Sequence, residues 1–283
     1  MGGMTQPAIP TLQLNDGYEI PQLGLGTYKL ADDNTVELVR RAIELGYRHI
    51  DTASFYGNEE AVGKAVRDAI SAGDVTREEL FITTKLWNDQ QDKVGESYQE
   101  SLNKMGLEFL DLYMIHWPWP QRGLYVQAFE EMARLQGMGQ LQSLGVANFY
   151  EEVLDELIER TGITPVVNQV ELHVGFMQDD LRAYHADKGI VTEAWAPLAR
   201  GTVLNNADVK AIAARHGRTS AQVVLNYLLQ LGMSVIPKTA SPERLEENIG
   251  AVDFRLTREE MDLLSRIEGE RLSNDPRTFP GDV

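Results

Sequence analysis

The chain has 283 residues, 43% hydrophobic and 24% charged, which suits a full core in one large domain and excludes a disordered chain. Its 26 Lys and Arg against 43 Asp and Glu give a net charge of −17, so its surface repels polyphosphate; nucleic acid and anionic membranes are poor partners. It contains no Cys, which excludes disulfides, thiolate catalysis and thiolate-bound zinc or iron–sulfur centres.

A chain without Cys fits the cytoplasm. No apolar run is long enough to span a bilayer, and residues 1–10 lack a signal-peptide core. Met1-Gly2-Gly3-Met4 reads as an added leader before a natural start at Met4, and residues 1–10 are expected to be flexible. No Pro-, Ser- or Gly-rich linker divides the sequence, so residues 1–283 are expected to form a single domain.

Leu12–Leu14, Asn15-Asp16-Gly17 and Tyr18–Ile20 read as a β-hairpin, because Asp-Gly readily takes the positive φ of a tight turn. Leu23–Gly26 is a short apolar strand. A helix capped by Asn34 follows, with an apolar stripe of Val36, Val39 and Ile43 and a left-handed end at Gly46. His49–Asp51 is the second strand, and its helix carries Val62, Val66, Ala69 and Ile70 and ends near Gly73. Leu80–Lys85 is the third strand, with a helix over 91–105, and Leu110–Ile115 the fourth, with a helix over 124–137. Strands at Ser143–Ala147, Val166–Val170 and Val191–Trp195 alternate with helices over 150–160 and 178–188. Helices over 208–216 and 220–230 precede the eighth strand, Ser234–Pro237. A helix over 243–250 follows it, and Thr257–Ile267 is an extra terminal helix.

Eight short strands, each followed by helix, predict an α/β fold with a parallel sheet. An open doubly wound sheet is the rival to a (β/α)8 TIM barrel. The count of eight and the lack of a dinucleotide fingerprint favour the barrel. Gly24-Leu-Gly26-Thr-Tyr-Lys29 starts like that fingerprint, but Lys29 stands where the third Gly belongs and the next helix begins too late.

A barrel of this kind carries its active site at the carboxyl ends of the strands. Asp51, Lys85 and His116 end the second, third and fourth strands, and Tyr56 lies in the loop beyond the second. A phenol with a pKa of about 10 is a poor proton donor or acceptor near neutrality. An ammonium beside it should lower that value, and a carboxylate should keep the ammonium charged. Tyr56, Lys85 and Asp51 are therefore expected to form a general-acid relay, with His116 orienting a substrate oxygen. Taken singly, Asp51 could cap a helix, Lys85 could be solvated and His116 could be packed beside Trp117-Pro118. The joint pattern favours chemistry. His49, which has no such company, reads as a buried structural His.

Gly46-Tyr-Arg-His-Ile-Asp-Thr-Ala53, Ile115-His-Trp-Pro118, Leu144-Gly-Val-Ala-Asn-Phe149 and the run from Ile236 to Asn248 resemble motifs of the aldo-keto reductases. The match runs in order from about Thr11 to Phe279. Thr84-Lys-Leu-Trp-Asn88 and the short tail look most like the bacterial branch that includes the 2,5-diketogluconate reductases. The resemblance implies the barrel, NADPH/NADP+ as cofactor, and an Asp51–Tyr56–Lys85–His116 tetrad. It puts Asn148 and Gln169 on the nicotinamide carboxamide, and Trp195 against the nicotinamide ring. Lys238, Thr239, Ser241 and Arg244 would take the adenosine 2′-phosphate, and Glu247 and Asn248 the adenine. Gly26, Thr27, Tyr28, Asp51 and Leu198 would border the cofactor. Lys238 and Arg244 flank a strand–helix junction, where free N–H groups favour anions. The same residues could instead simply cap and decorate the last barrel helix. Ala147 and Ala196 stand where the family commonly has Ser, which removes two hydroxyl contacts to the cofactor. Tyr28, Phe55, Trp87, His116 and Trp117 would wall the substrate pocket.

The expected activity is reduction of a small aldehyde, ketone or keto-sugar by NADPH, in a monomer. A non-catalytic redox sensor that binds the cofactor is the alternative. A metal-dependent hydrolase is disfavoured, because His49, His116, His173, His185 and His216 show no metal-ligand spacing.

Overall fold

The computed structural model describes residues 8–281; the expected leader, and most of the segment expected to be flexible, lie outside them. The hairpin is β1 (Thr11–Gln13) paired antiparallel with β2 (Glu19–Pro21). The alternation that follows is β3 (Gly24–Gly26), α1 (Asp32–Glu44), β4 (His49–Asp51), α2 (Glu59–Ala72), β5 (Phe81–Leu86), α3 (Val94–Met105), β6 (Leu110–Ile115) and α4 (Tyr125–Gly137). It continues with β7 (Leu141–Ala147), α5 (Glu151–Thr161), β8 (Val167–Glu171), α6 (Asp179–Lys188) and β9 (Val191–Trp195). Helices α7 (Ala207–His216) and α8 (Ser220–Gln230) lead to β10 (Ser234–Val235), and α9 (Pro242–Ile249) and α10 (Arg258–Ser265) end the chain's regular structure.

Strands β3 to β10 lie side by side in chain order, all parallel. Parallel bridges Leu23–Val235 and Gly26–Lys238 join the first to the last and close the barrel. The last strand is shorter than its apolar run predicts. Its ladder stops after Val235 and Ile236 because Pro237 has no N–H to donate, although its carbonyl still accepts from Gly26 N at 3.2 Å. Helix α1 also departs from expectation. It starts at Asp32 behind Ala31, so Asn34 is not its cap. A turn from Thr27 to Leu30 delivers the chain into the helix early, and Thr35 N already bonds Ala31 O at 2.8 Å.

The glycines that imitate a nucleotide fingerprint serve barrel packing. A Cβ on Gly24 would lie 2.7 Å from the His49 ring, and one on Gly26 would lie 2.9 Å from Ile236 O.

Strand periodicity sorts the barrel into two regions. Ile50, Ile82, Tyr113, Ile115, Val170 and Ala194 face outwards into the main core under the helices. The opposite parity faces the axis. Near the strands' amino ends that interior is apolar: Phe81, Leu112, Met114 and Val167 pack on Leu14 and Ile20 of the hairpin. The hairpin is tied down there as a plug, by Asn15 Nδ2 to Pro165 O and Gly189 O and by Ser143 Oγ to Asp16 at 2.6 Å. Higher on the same axis Asp51, Lys85, Gln169 and Glu193 bring polar groups together, which gives chemistry one end of the barrel.

Gly63 of α2 lies directly against the backbone of Met105 at the end of α3. An exposed helical Gly→Ala change gains about 1 kcal/mol. Here the added methyl would overlap Met105 O and Cα, so Gly63→Ala should instead destabilise by roughly 1–3 kcal/mol. Urea unfolding measures the sign, and a raised midpoint would contradict the contact.

Candidate functional site

At the polar end, Lys85 is wholly buried, and its Nζ donates to Asp51 Oδ1 at 2.6 Å and to Thr52 O at 2.9 Å. Both residues have axis-facing parity on neighbouring strands, so the pairing follows from the β4–β5 register. Tyr56 ends a 3₁₀ turn over Ser54–Tyr56 that closes at Gly57, whose φ of 71° suits Gly. Ser54 Oγ donates to Lys85 O at 2.9 Å and fastens this turn to β5. Asn58 is buried behind it, donating to Thr27 O and accepting from Thr52 Oγ1, both at 2.8 Å. The loop therefore holds the Tyr56 ring with its centroid 5.2 Å from Lys85 Nζ and 5.7 Å from the His116 ring. The four residues expected to act together are brought to one place.

The direction of the phenol's pKa shift is a correction. Lys85 should lower the Tyr56 pKa and does pull in that direction, but burial has the larger effect and the phenol is pushed up to about 12. Tyr56 therefore holds its proton throughout the neutral range. Burial, with Lys85 adding to it, drives His116 well below the usual His value, so its ring is neutral. Burial alone would lower the Lys85 ammonium, yet Asp51 and Tyr56 hold it above its ordinary value. Burial raises the Asp51 carboxyl, and Lys85 opposes that rise.

A second layer lies beneath. Gln169 Nε2 donates to Asp51 Oδ2 at 2.8 Å and to Glu193 Oε1 at 2.7 Å. Ser234 Oγ donates to Glu193 Oε2 at 2.7 Å, and His49, fully buried as expected, lies 3.7 Å from that oxygen. His49, Asp51 and Glu193 present ligand atoms within 4.8 Å of one another. A metal ion there would have to displace the Lys85 ammonium and the Gln169 and Ser234 contacts. Glu193 is absent from the sequence-based site, although its signal was available: a carboxylate between Val191 and Trp195 at inward parity. Glu171 was missed in the same way. It is buried and accepts from Leu272 N, at 2.5 Å, and from Ser273 N, at 3.0 Å, which holds the tail against the rim.

The residues assigned to a cofactor line the rim from β7 round to α9. Trp195 Nε1 donates to Asn148 Oδ1 and Asn148 Nδ2 donates to His116 O, both at 2.9 Å, so Asn148 ties the indole to the tetrad. Its φ of 61° is left-handed, which Asn tolerates. Thr27 donates its hydroxyl to Asp51 O at 2.9 Å, while Leu198 enters the 3₁₀ segment Ala199–Asn205. Ser241 caps α9 by accepting from Arg244 N, and Thr239 Oγ1 accepts from Ser241 N at 3.0 Å. Lys238 and Arg244 are exposed and form no ion pair among the described residues, and Glu247 and Asn248 lie on the last turns of the same helix. Opposite, Phe55 stacks on Trp87 at 3.8 Å and Tyr28 lies 5.1 Å from Tyr56. Trp117 is buried against Phe279 of the tail.

The Aldo/keto reductase family model matches residues 22–268. The chain is 45% identical over 281 residues to the methylglyoxal reductase DkgA of Salmonella typhimurium, covering 98% of this chain and 100% of that protein. It is 44% identical over 273 residues to an aldo-keto reductase of a Mycobacterium species, covering 95% and 98%. Among solved structures, a mutant of Gox0644 in complex with NADPH superposes with a TM-score of 0.91 at 41% identity, covering 96% of this chain and 99% of that one.

Removing one member of a buried ion pair leaves the other uncompensated, at a cost of about 3–5 kcal/mol. Lys85→Met should show such a loss at pH 7, and Lys85→Met/Asp51→Asn should recover most of it. An unpaired Asp51 has a folded pKa raised above its unfolded value of about 3.9. The penalty is therefore full above the folded value and vanishes below the unfolded one. Denaturation of the parent and the two variants between pH 4 and 8 should show the gap between Lys85→Met and the double variant closing as pH falls.

Proposed function

This chain belongs to the aldo/keto reductase family, and on that premise we propose that it reduces a small aldehyde, ketone or keto-sugar to an alcohol, using NADPH as hydride donor and Tyr56 as general acid. The observation that carries this reading is the fully buried Asp51–Lys85 pair at 2.6 Å beside a half-buried, fully protonated Tyr56. A non-catalytic sensor would have no need of an ammonium held in the barrel interior under a phenol.

NADPH supplies the hydride when bound. The residues present suit it: Lys238 before α9 and Arg244 on its first turn form no ion pair among the described residues, and a helix start favours a phosphate. With Thr239 and Ser241 they would hold the 2′-phosphate; Ser241 Oγ donates to Glu243 at 2.5 Å and would have to turn from it. Both N–H donors of Gln169 are engaged by carboxylates, which leaves its oxygen for the carboxamide, alongside Asn148. Trp195 would stack on the ring, Glu247 and Asn248 would meet the adenine, and Gly26, Thr27, Tyr28 and Leu198 would border the remainder.

In the proposed step Tyr56 gives its proton to the carbonyl oxygen as the carbon accepts the hydride. The phenolate left behind is stabilised by Lys85, whose charge Asp51 maintains. Neutral His116 hydrogen-bonds the carbonyl oxygen and orients it. A phenol with a raised pKa suits this direction, because the proton is present before the reaction and passes to a stronger base as the alkoxide forms. Phe55, Trp87, Tyr28 and Trp117 would wall the substrate pocket. Methylglyoxal, for which the Salmonella relative is named, is the first substrate to try.

Tyr56→Phe should fold and bind NADPH normally but lose turnover of methylglyoxal by about 10²–10⁴-fold. Near-normal turnover would refute the general-acid role. Arg244→Ala tests the cofactor site. Losing a charge-assisted hydrogen bond of about 1.5–3 kcal/mol should weaken NADPH binding roughly 10- to 150-fold and leave NADH binding nearly unchanged. Fluorescence titration with both cofactors reads this, and equal losses would mean that Arg244 only supports α9.

A further inference from the structure

The barrel axis holds a second carboxylate that the proton-transfer scheme does not use. Glu193 is 0% exposed, and both its oxygens are engaged, Oε1 by Gln169 Nε2 and Oε2 by Ser234 Oγ, each at 2.7 Å. The nitrogen of Gln169 has two hydrogens, and two acceptors flank it, Glu193 Oε1 and Asp51 Oδ2. With an acid on each side, the amide can face them only with its nitrogen, because its oxygen would meet the lone pairs of both. The flip of Gln169 is thereby decided, and its oxygen must point away from both acids, towards the rim.

We propose that Glu193 is a positioning residue of the reductase site, locking Gln169 so that one N–H stays on Asp51 and the amide oxygen faces the bound nicotinamide carboxamide. The inference rests on the cofactor reading above. Glu193 serves here as an acceptor. Burial raises its carboxyl pKa, and the Gln169 and Ser234 hydrogen bonds and the Lys85 charge oppose that rise. His49, the titratable group beside it, is held down to about 4, with its Nδ1 unpartnered.

An acceptor role makes the two obvious replacements differ. Glu193→Gln keeps an oxygen for Gln169 and gains an N–H for Ser234, whereas Glu193→Leu fills similar volume with no acceptor. NADPH dissociation constants by fluorescence should rise about 10-fold for Glu193→Leu and stay within about 3-fold of the parent for Glu193→Gln, the scale of one hydrogen bond. Gln169→Leu should match Glu193→Leu, and the double Leu variant should be little worse than either, because the two act through one contact. Glu193→Leu leaves an N–H of Gln169 and the Ser234 hydroxyl without this acceptor, so its thermal midpoint should fall as well, whereas Glu193→Gln, which keeps the acceptor, should hold both midpoint and binding. If Glu193→Leu does not fold, Glu193→Met takes its place. Unchanged binding in the Leu or Met variant, a Gln variant as weak as Leu, or fully multiplicative losses would each overturn the proposal. Binding needs no turnover, so these results stand apart from the outcome for Tyr56→Phe, and an intact binding pattern with an active Tyr56→Phe would reject the general-acid reading alone.

Discussion

An ammonium and a carboxylate 2.6 Å apart, both out of reach of water, set the terms for the upper half of this barrel. Burying each ion carries a desolvation penalty of several kcal/mol, which only close approach and full hydrogen bonding can offset. The neighbouring strands supply that. Thr52 O takes a second Lys85 donor, and Gln169 satisfies the other Asp51 oxygen from across the barrel. Without closure of the sheet, β8 could not bring Gln169 to β4, and Asp51 would keep an unsatisfied oxygen. Full satisfaction of the ion pair therefore depends on the closed barrel.

This dependence explains the division of the interior. The lower axis is hydrocarbon sealed by the hairpin, so water cannot reach the pair from below. The upper axis is a connected polar network, and its ends are the groups free to meet ligands. The same burial that makes the pair expensive also keeps the Tyr56 proton in place and His116 neutral. Lys85 moderates the first effect and reinforces the second, since a cation stabilises the phenolate that proton loss would leave and disfavours a second cation beside it.

Charge works on two scales. A net charge of −17 opposes any polyanionic ligand at long range, but salt screens that field beyond about 8 Å at physiological ionic strength. Lys238 and Arg244 would act on a bound phosphate inside that distance, at a helix start that adds its own partial positive charge. Glu243 lies on the same first turn and holds the Ser241 hydroxyl, so the local field is a contest between two cations and an acid and not a simple basic patch.

Most of the fold was legible from local pattern. Alternating apolar runs marked eight strands, stripes at helical spacing marked the helices between them, and Asp16-Gly17 marked the hairpin. The candidate site's ionisable members were legible only together, because Asp51, Lys85 and His116 end successive apolar strands with Tyr56 just beyond the first of them, while each taken singly has an ordinary structural reading. What remained depended on groups far apart in the chain. Asn34 fits a cap by local rules, but the turn at Thr27–Leu30 starts α1 before it. Glu193 is an ordinary strand residue until closure sets it across Gln169 from Asp51. The sign of the Tyr56 shift follows from a balance of burial against one nearby charge, and burial is a sum over many elements. Sequence periodicity determines which face a residue takes and what chemistry it carries. Only the closed barrel decides which faces meet and how much water is left between them.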